Sequence, residues 1–143
     1  MYEELLHLFI VIGEHNNQIE HKLSTQKTPH QKAYDKKFDL VAEYIGQHYM
    51  EPVSLEDLAA FAGFSKYHFS RIFKAYYQTS LPEYITSVRI SKAKELLENP
   101  DLSIMDVAFQ SGFLSLSSFN RTFKQRNNCT PSQFRKMFDY FPA

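Results

Sequence analysis

Two short stretches of this chain carry the same kinds of polar side chain at the same spacing. The first holds Tyr67, Ser70, Arg71 and Lys74, and the second holds Ser117, Asn120, Arg121 and Lys124. Steps of three, one and three residues put each set on one stripe of a helix. The residue types define the chemistry open to such a stripe. Small hydroxyls and an amide near a helix start can reach nucleobase edges, Arg can pair bidentately with guanine, and Lys and the helix N-terminus can hold phosphates. For one helix alone, exposed Arg and Lys are as readily explained by solvation. The duplication singles these residues out, because the same arrangement follows the same local sequence twice.

The elements that must position the stripes repeat with them. Ser54-Leu55-Glu56-Asp57-Leu58-Ala59 pairs with Ser103-Ile104-Met105-Asp106-Val107-Ala108, and Gly63-Phe64 pairs with Gly112-Phe113. Phe69-Ser70-Arg71-Ile72-Phe73-Lys74 then pairs with Phe119-Asn120-Arg121-Thr122-Phe123-Lys124, and Pro82 and Tyr84 pair with Pro131 and Phe134. The offset is 49 residues, with one extra residue before Phe119, one fewer before Pro131 and one extra again before Phe134. Ser54 and Ser103 stand where an N-cap belongs, each with Asp three residues on. A short apolar helix follows, Leu55 to Ala62 or Ile104 to Ser111, and Gly63 or Gly112 ends it in a left-handed conformation. Ser65 and Ser115 cap a second helix running to about Tyr76 or Gln125, with Phe69, Ile72, Phe73 and Tyr76, or Phe119 and Phe123, facing inward. Pro82 and Pro131 occupy the first position of another helix, where the missing N–H costs nothing. Helix, tight glycine turn, helix is the helix-turn-helix pattern.

Further elements frame these units. Ile85, Val88, Ala93, Leu96 and Leu97 mark a helix from Pro82 to Glu98 that can act as a rigid spacer. Tyr34, Phe38, Val41, Ala42, Ile45 and Tyr49 mark one more helix before the first unit. The expected fold is all-α: two tandem helix-turn-helix units, about 54–76 and 103–125, joined by a central helix at 82–98, with an extra N-terminal helix. These lie in a main domain at 34–137, preceded by a polar linker at 24–33 and followed by an aromatic tail at 138–143. In residues 1–23, Leu5, Phe9, Ile12, Asn16, Ile19 and Leu23 step by four and three, an a/d seam with one polar position. That seam can pair two chains or pack on its own domain, and Ile10-Val11-Ile12 with Gly13 also admits a strand.

Composition bounds the rest. Of 143 residues, 43% are hydrophobic and 22% charged, enough for a core and unlike a disordered chain. Thirteen Phe and nine Tyr against four Gly and six Pro favour helices. Net charge is zero, yet between Ala60 and Lys136 eleven Lys/Arg face five Asp/Glu. Phosphate binding needs a basic surface rather than a basic protein. The single cysteine, Cys129, excludes an intrachain disulfide and a Cys-rich zinc site, and fits a reducing compartment. The longest apolar run, Leu8 to Ile12, is too short to span a bilayer, and no signal-peptide pattern is present. A cytoplasmic location without membrane contact is the expectation.

Two other classes compete. An enzyme would need a nucleophile–base pair, a Gly-rich phosphate loop or metal-ligand spacing, and the six scattered histidines offer none. His68 reads as a phosphate contact or a solvated residue. Cys129, just before the helix-capping Thr130, reads as a small core or surface thiol rather than an activated one. No catalytic residue, cofactor or metal is expected. A helical interaction module, binding a partner protein through an amphipathic helix at residues 1–23 and the aromatic tail, would show no salt-dependent affinity for duplex DNA.

The sequence resembles the DNA-binding domain of the AraC/XylS family of bacterial transcription regulators. The carrying residues are the Ser54–Ala59 and Gly63-Phe64-Ser65 segments, Phe69-x-Arg71-x-Phe73-Lys74, and Arg89-Ile90-x-x-Ala93-x-x-Leu96-Leu97. They continue with Ile104-x-Asp106-Val107-Ala108, Gly112-Phe113, Ser118-Phe119-x-Arg121-x-Phe123-Lys124 and Thr130-Pro131-x-x-Phe134-Arg135, so the resemblance covers roughly residues 38 to 137. It implies two recognition helices lying in successive major grooves on one side of the DNA. By position, Tyr67, Ser70 and Arg71 would read the first groove, and Leu116, Ser117, Asn120 and Arg121 the second. Lys66, His68, Lys74, Ser115, Ser118 and Lys124 would contact the DNA backbone. Double-stranded DNA is the implied partner of such a regulator, more often an activator in this family. RNA polymerase is a candidate second partner, and a second copy joined through residues 1–23 a third. Two features depart from the pattern. Leu114 and Leu116 are apolar where many relatives are polar, and some 35 leading residues cannot form the sensor domain that usually precedes the reader. The chain is therefore expected to be either a piece of a larger regulator or a reader-only member.

Overall fold

Caps and glycine turns divide the sequence into helices, each with apolar side chains to bury. The computed structural model describes residues 28–140. Among these, every regular element is a helix: α1 (Pro29–His48), α2 (Leu55–Ala62), α3 (Lys66–Tyr77), α4 (Leu81–Leu97), α5 (Ile104–Gln110), α6 (Leu116–Asn127) and α7 (Pro131–Tyr140). The seam at residues 5–23 and the end of the aromatic tail lie outside the described residues.

Four of the caps, Ser54, Ser65, Ser103 and Ser115, are those expected from the sequence, and Ser80 is a fifth. The side chains of Ser54, Ser65, Ser80, Ser103 and Ser115 accept from the amides of Asp57, His68, Glu83, Asp106 and Ser118. Asp106 returns the bond to the Ser103 amide, completing a capping box whose hydrogen bonds hold its carboxyl below the usual carboxylate range. At Gly63 the amide donates to Ala60 and the next amide, Phe64, reaches back to Ala59; Gly112 and Phe113 do the same to Phe109 and Ala108. This is the Schellman arrangement, and both glycines hold its left-handed position, at φ of 77° and 96°. The α3 and α6 helices end on left-handed Gln78 and Asn128, each with φ of 58°.

Three boundaries differ from expectation. The linker assigned to 24–33 ends at Thr28, which caps α1 with a reciprocal bond from Gln31, so residues 29–33 are helical. That first turn looks like a linker because Gln31, Lys32 and Ala33 are all exposed. Pro82 is the second residue of α4, not the first, since Ser80 is the cap and Leu81 opens the helix. In α3 the inward place expected of Tyr76 passes to Tyr77, whose hydroxyl donates to the Phe38 carbonyl at 2.9 Å and whose burial raises its pKa far above the ordinary value. Tyr76 stays 40% exposed and stacks on Phe38, 4.7 Å between centroids.

Two cores result. The first gathers Phe38, Val41 and Ile45 from α1, Leu58 and Ala59 from α2, Phe69 and Phe73 from α3, and Leu81, Tyr84 and Ile85 from the start of α4. The second gathers Ile90, Ala93 and Leu97 from the end of α4, Val107 and Ala108 from α5, Phe113 from the turn, and Phe119 and Phe123 from α6. Arg135 of α7 ties the second unit by donating to the carbonyls of Leu97 and Asn99 at 3.1 and 3.2 Å. Phe73 and Phe123 are fully buried at matching positions of the two units. Truncating either to Ala should cost about 3–5 kcal/mol in urea denaturation; a cost under about 1 kcal/mol would mean that the site is not core.

Candidate nucleic-acid interface

Helices α3 and α6 are each 12 residues long and each follows a capped glycine turn. Burying Phe69 and Phe73 on one and Phe119 and Phe123 on the other fixes which face turns outward. On α3 that face carries Tyr67, Ser70, Arg71 and Lys74, all exposed, with Tyr67 81% exposed. On α6 it carries Ser117, Asn120, Arg121 and Lys124, also all exposed. The structure thus brings each expected set onto one free stripe.

Other expected residues are placed differently. Leu116 is half-buried and packs against the second core, so it is not presented with the α6 stripe. Its spacing to Phe119 and Phe123 puts it on their face, which is why it turns inward. The apolar side chain left free at this helix start is Leu114, 91% exposed. Lys66, at the position matching Leu116, reaches back to Glu56 of α2 at 2.7 Å, and that pairing holds the Glu56 carboxyl below its ordinary pKa. Ser115 and Ser118 share the helix start, the Ser115 hydroxyl accepting from the Ser118 amide. His68 sets its ring edge-on to Phe64, 5.2 Å between centroids.

Two cations have surroundings that sequence reasoning did not anticipate. Lys37 of α1 lies over the Phe64 ring, 4.7 Å from its centroid, beside the first glycine turn. No local pattern could reveal it, because the contact joins residues far apart in sequence. Arg126, counted in the basic excess, folds back onto Glu83 and Ser87 of α4. Among the described residues no group of His, Cys, Asp or Glu could hold a metal ion, and no helix is long and apolar enough to cross a membrane.

Two outward polar stripes, each on the second helix of a helix-turn-helix unit, define a tandem helix-turn-helix domain. The family model described as "Helix-turn-helix domain" matches residues 58–137. The chain is 38% identical over 86 residues to the probable transcription factor PqrA of Proteus vulgaris, covering 60% of this chain and 70% of that one. It is also 38% identical over 101 residues to an uncharacterized HTH-type transcriptional regulator of Staphylococcus aureus, but spans only 14% of that protein's length. Among solved structures, the DNA-binding domain of AdpA in complex with a target DNA superposes with a TM-score of 0.68 at 26% identity, over 73% of this chain and 94% of that one. An AraC-type regulator from Chromobacterium violaceum superposes at 0.69 and 27% identity, over 77% of this chain and 97% of that one. This chain belongs to the AraC/XylS-type helix-turn-helix family of DNA-binding transcription regulators.

The two leucines separate packing from presentation. Leu116→Ala should lower stability by about 1–2 kcal/mol, as for a half-buried apolar truncation. Leu114→Ala should change stability by less than about 0.5 kcal/mol. Thermal or urea melts that reversed this order would return Leu116 to the outer stripe.

Proposed function

We propose that this chain reads specific duplex DNA by placing α3 and α6 in two successive major grooves on one side of the helix, and so activates transcription in the cytoplasm. The observation that carries this reading is the doubled stripe, Tyr67-Ser70-Arg71-Lys74 and Ser117-Asn120-Arg121-Lys124, exposed on equivalent helices. In each groove the Arg and the small polar side chains supply base contacts, and the Lys one turn on holds a phosphate. Ser115, Ser118, His68 and Lys66 flank the helix starts where backbone phosphates would pass, with Lys66 shared between Glu56 and the DNA. Lys37 adds a cation beside the first turn. The shared fold of the AdpA domain, whose structure was solved with a target DNA, supports the reading. RNA polymerase would be the protein partner of an activator, and a second copy could join through residues 1–23.

Selection of bound duplexes from a random library, at fixed salt, tests it. Two short enriched blocks about ten base pairs apart are expected, since recognition elements read grooves one helical turn apart. Binding with no enriched motif would contradict base reading. On the selected site, Arg71→Ala and Arg121→Ala should each cost about 1–3 kcal/mol and relax preference in one block only. Lys74→Ala should weaken all sequences alike and lower the salt slope by about one; a sequence-selective loss would contradict its phosphate role.

A further inference from the structure

The two units share α4 but also touch each other directly. Counted at 100° per residue, the α4 residues of the first core (Leu81, Tyr84, Ile85) and of the second (Ile90, Ala93, Leu97) form stripes roughly 160° apart. Each of the two gaps between the stripes holds a tie. In one gap stands Arg89, whose Nε donates to the Tyr49 carbonyl at 2.8 Å and whose Nη2 donates to the Glu51 carbonyl at 3.2 Å. That loop belongs to the first unit. It also presses on the turn of the second: a Cβ on Gly112 would lie 2.7 Å from the Tyr49 carbonyl oxygen and 3.0 Å from Arg89 Nε. Arg89 is thus a wedge held at once by the α1–α2 loop, α4 and the α5–α6 turn. In the opposite gap Arg126, from the end of α6, pairs with Glu83 and donates to Ser87 at 3.0 Å, both on the half of α4 that serves the first unit.

We propose that Arg89 and Arg126 are positioning residues that lock the two helix-turn-helix units at one separation, and that this lock sets which spacing between the two DNA blocks the chain accepts. The link to DNA spacing rests on the two-groove reading above; the lock itself rests only on these contacts. One base pair added between the blocks moves the second groove by about 3.4 Å and turns it by about 35°. A locked pair of helices cannot follow without deforming the DNA or breaking its own ties. A hinged pair can follow, but gives up affinity at the natural spacing because its binding-competent state is no longer prepaid.

The test compares the parent with the Arg89→Ala/Arg126→Ala variant and with Arg126→Ala alone, whose circular-dichroism melts verify folding. Affinity is measured on the selected duplex and on versions with one base pair added or removed between blocks. The parent should lose about tenfold or more on the altered spacings. The double variant should lose about threefold to tenfold at the natural spacing, yet discriminate the three spacings by less than about threefold, with base preference inside each block unchanged. A folded variant that keeps the parent's spacing penalty overturns the proposal and leaves the two-groove reading intact. A DNA-free arm isolates the lock. With Cys129→Ser as background, spin labels on Ala75→Cys and Gln125→Cys report the separation of α3 and α6. The lock requires a narrow distance distribution that broadens when Arg89 and Arg126 are removed, and an unchanged distribution overturns it. Broadening without any spacing penalty in the parent would instead overturn the two-groove reading.

Discussion

Helix α4 must satisfy two cores at once, and the arrangement of the molecule follows from how it does so. Its first half gives Leu81, Tyr84 and Ile85 to one core, and its second half gives Ile90, Ala93 and Leu97 to the other. Seventeen residues of α-helix span about 25 Å. A single helix of that length, clamped at each end by a separate apolar cluster, carries the orientation of one unit to the other. A flexible linker would leave each unit to find its groove alone. The aromatic cluster of the first core, where Phe38 meets Phe69, Phe73, Tyr76 and Tyr77, reaches that end of the helix through Tyr84, whose ring packs against Phe73 and Tyr77. Phe113, Phe119, Phe123 and Phe134 form the corresponding chain at the other end.

Electrostatics depends on this packing more than on composition. A chain of zero net charge can present a basic face only if its cations are sorted by position. Arg126 is paired with Glu83 on α4, Arg135 donates to the Leu97 carbonyl, Arg89 is half-buried with its pKa lowered by burial, and Lys66 leans on Glu56. What remains on the stripes of α3 and α6 is a short set: Arg71 and Lys74 on one, Arg121 and Lys124 on the other. The sorting is asymmetric as well, because Lys37 adds charge beside the first turn while the exposed Leu114 precedes the second stripe.

The fold was readable from the chain wherever its determinants are local. Serine caps, the two left-handed glycines and the phenylalanine pairs are short-range instructions, and each appears twice. The outer stripes were readable for the same reason, being what remains once Phe69, Phe73, Phe119 and Phe123 turn inward. Long-range contacts were not readable. Nothing near Gly112 announces the Tyr49 carbonyl, and nothing near Lys37 announces Phe64. Leu116 is an intermediate case. Its spacing to Phe119 and Phe123 signalled a buried face, and placing it among the base readers by resemblance to the family obscured that signal. The start of α1 at Pro29 was hidden because its first turn buries no side chain.

Phosphate ethylation interference on a selected duplex tests the central claim most directly, that one chain engages two consecutive grooves from one side. Ethylation at a contacted phosphate blocks binding whatever the base sequence, so the map reports geometry alone. Two patches of blocking phosphates on one face of the duplex, one helical turn or about ten base pairs apart, are the result that tandem reading by α3 and α6 requires. A single patch, or two patches on opposite faces, would contradict it.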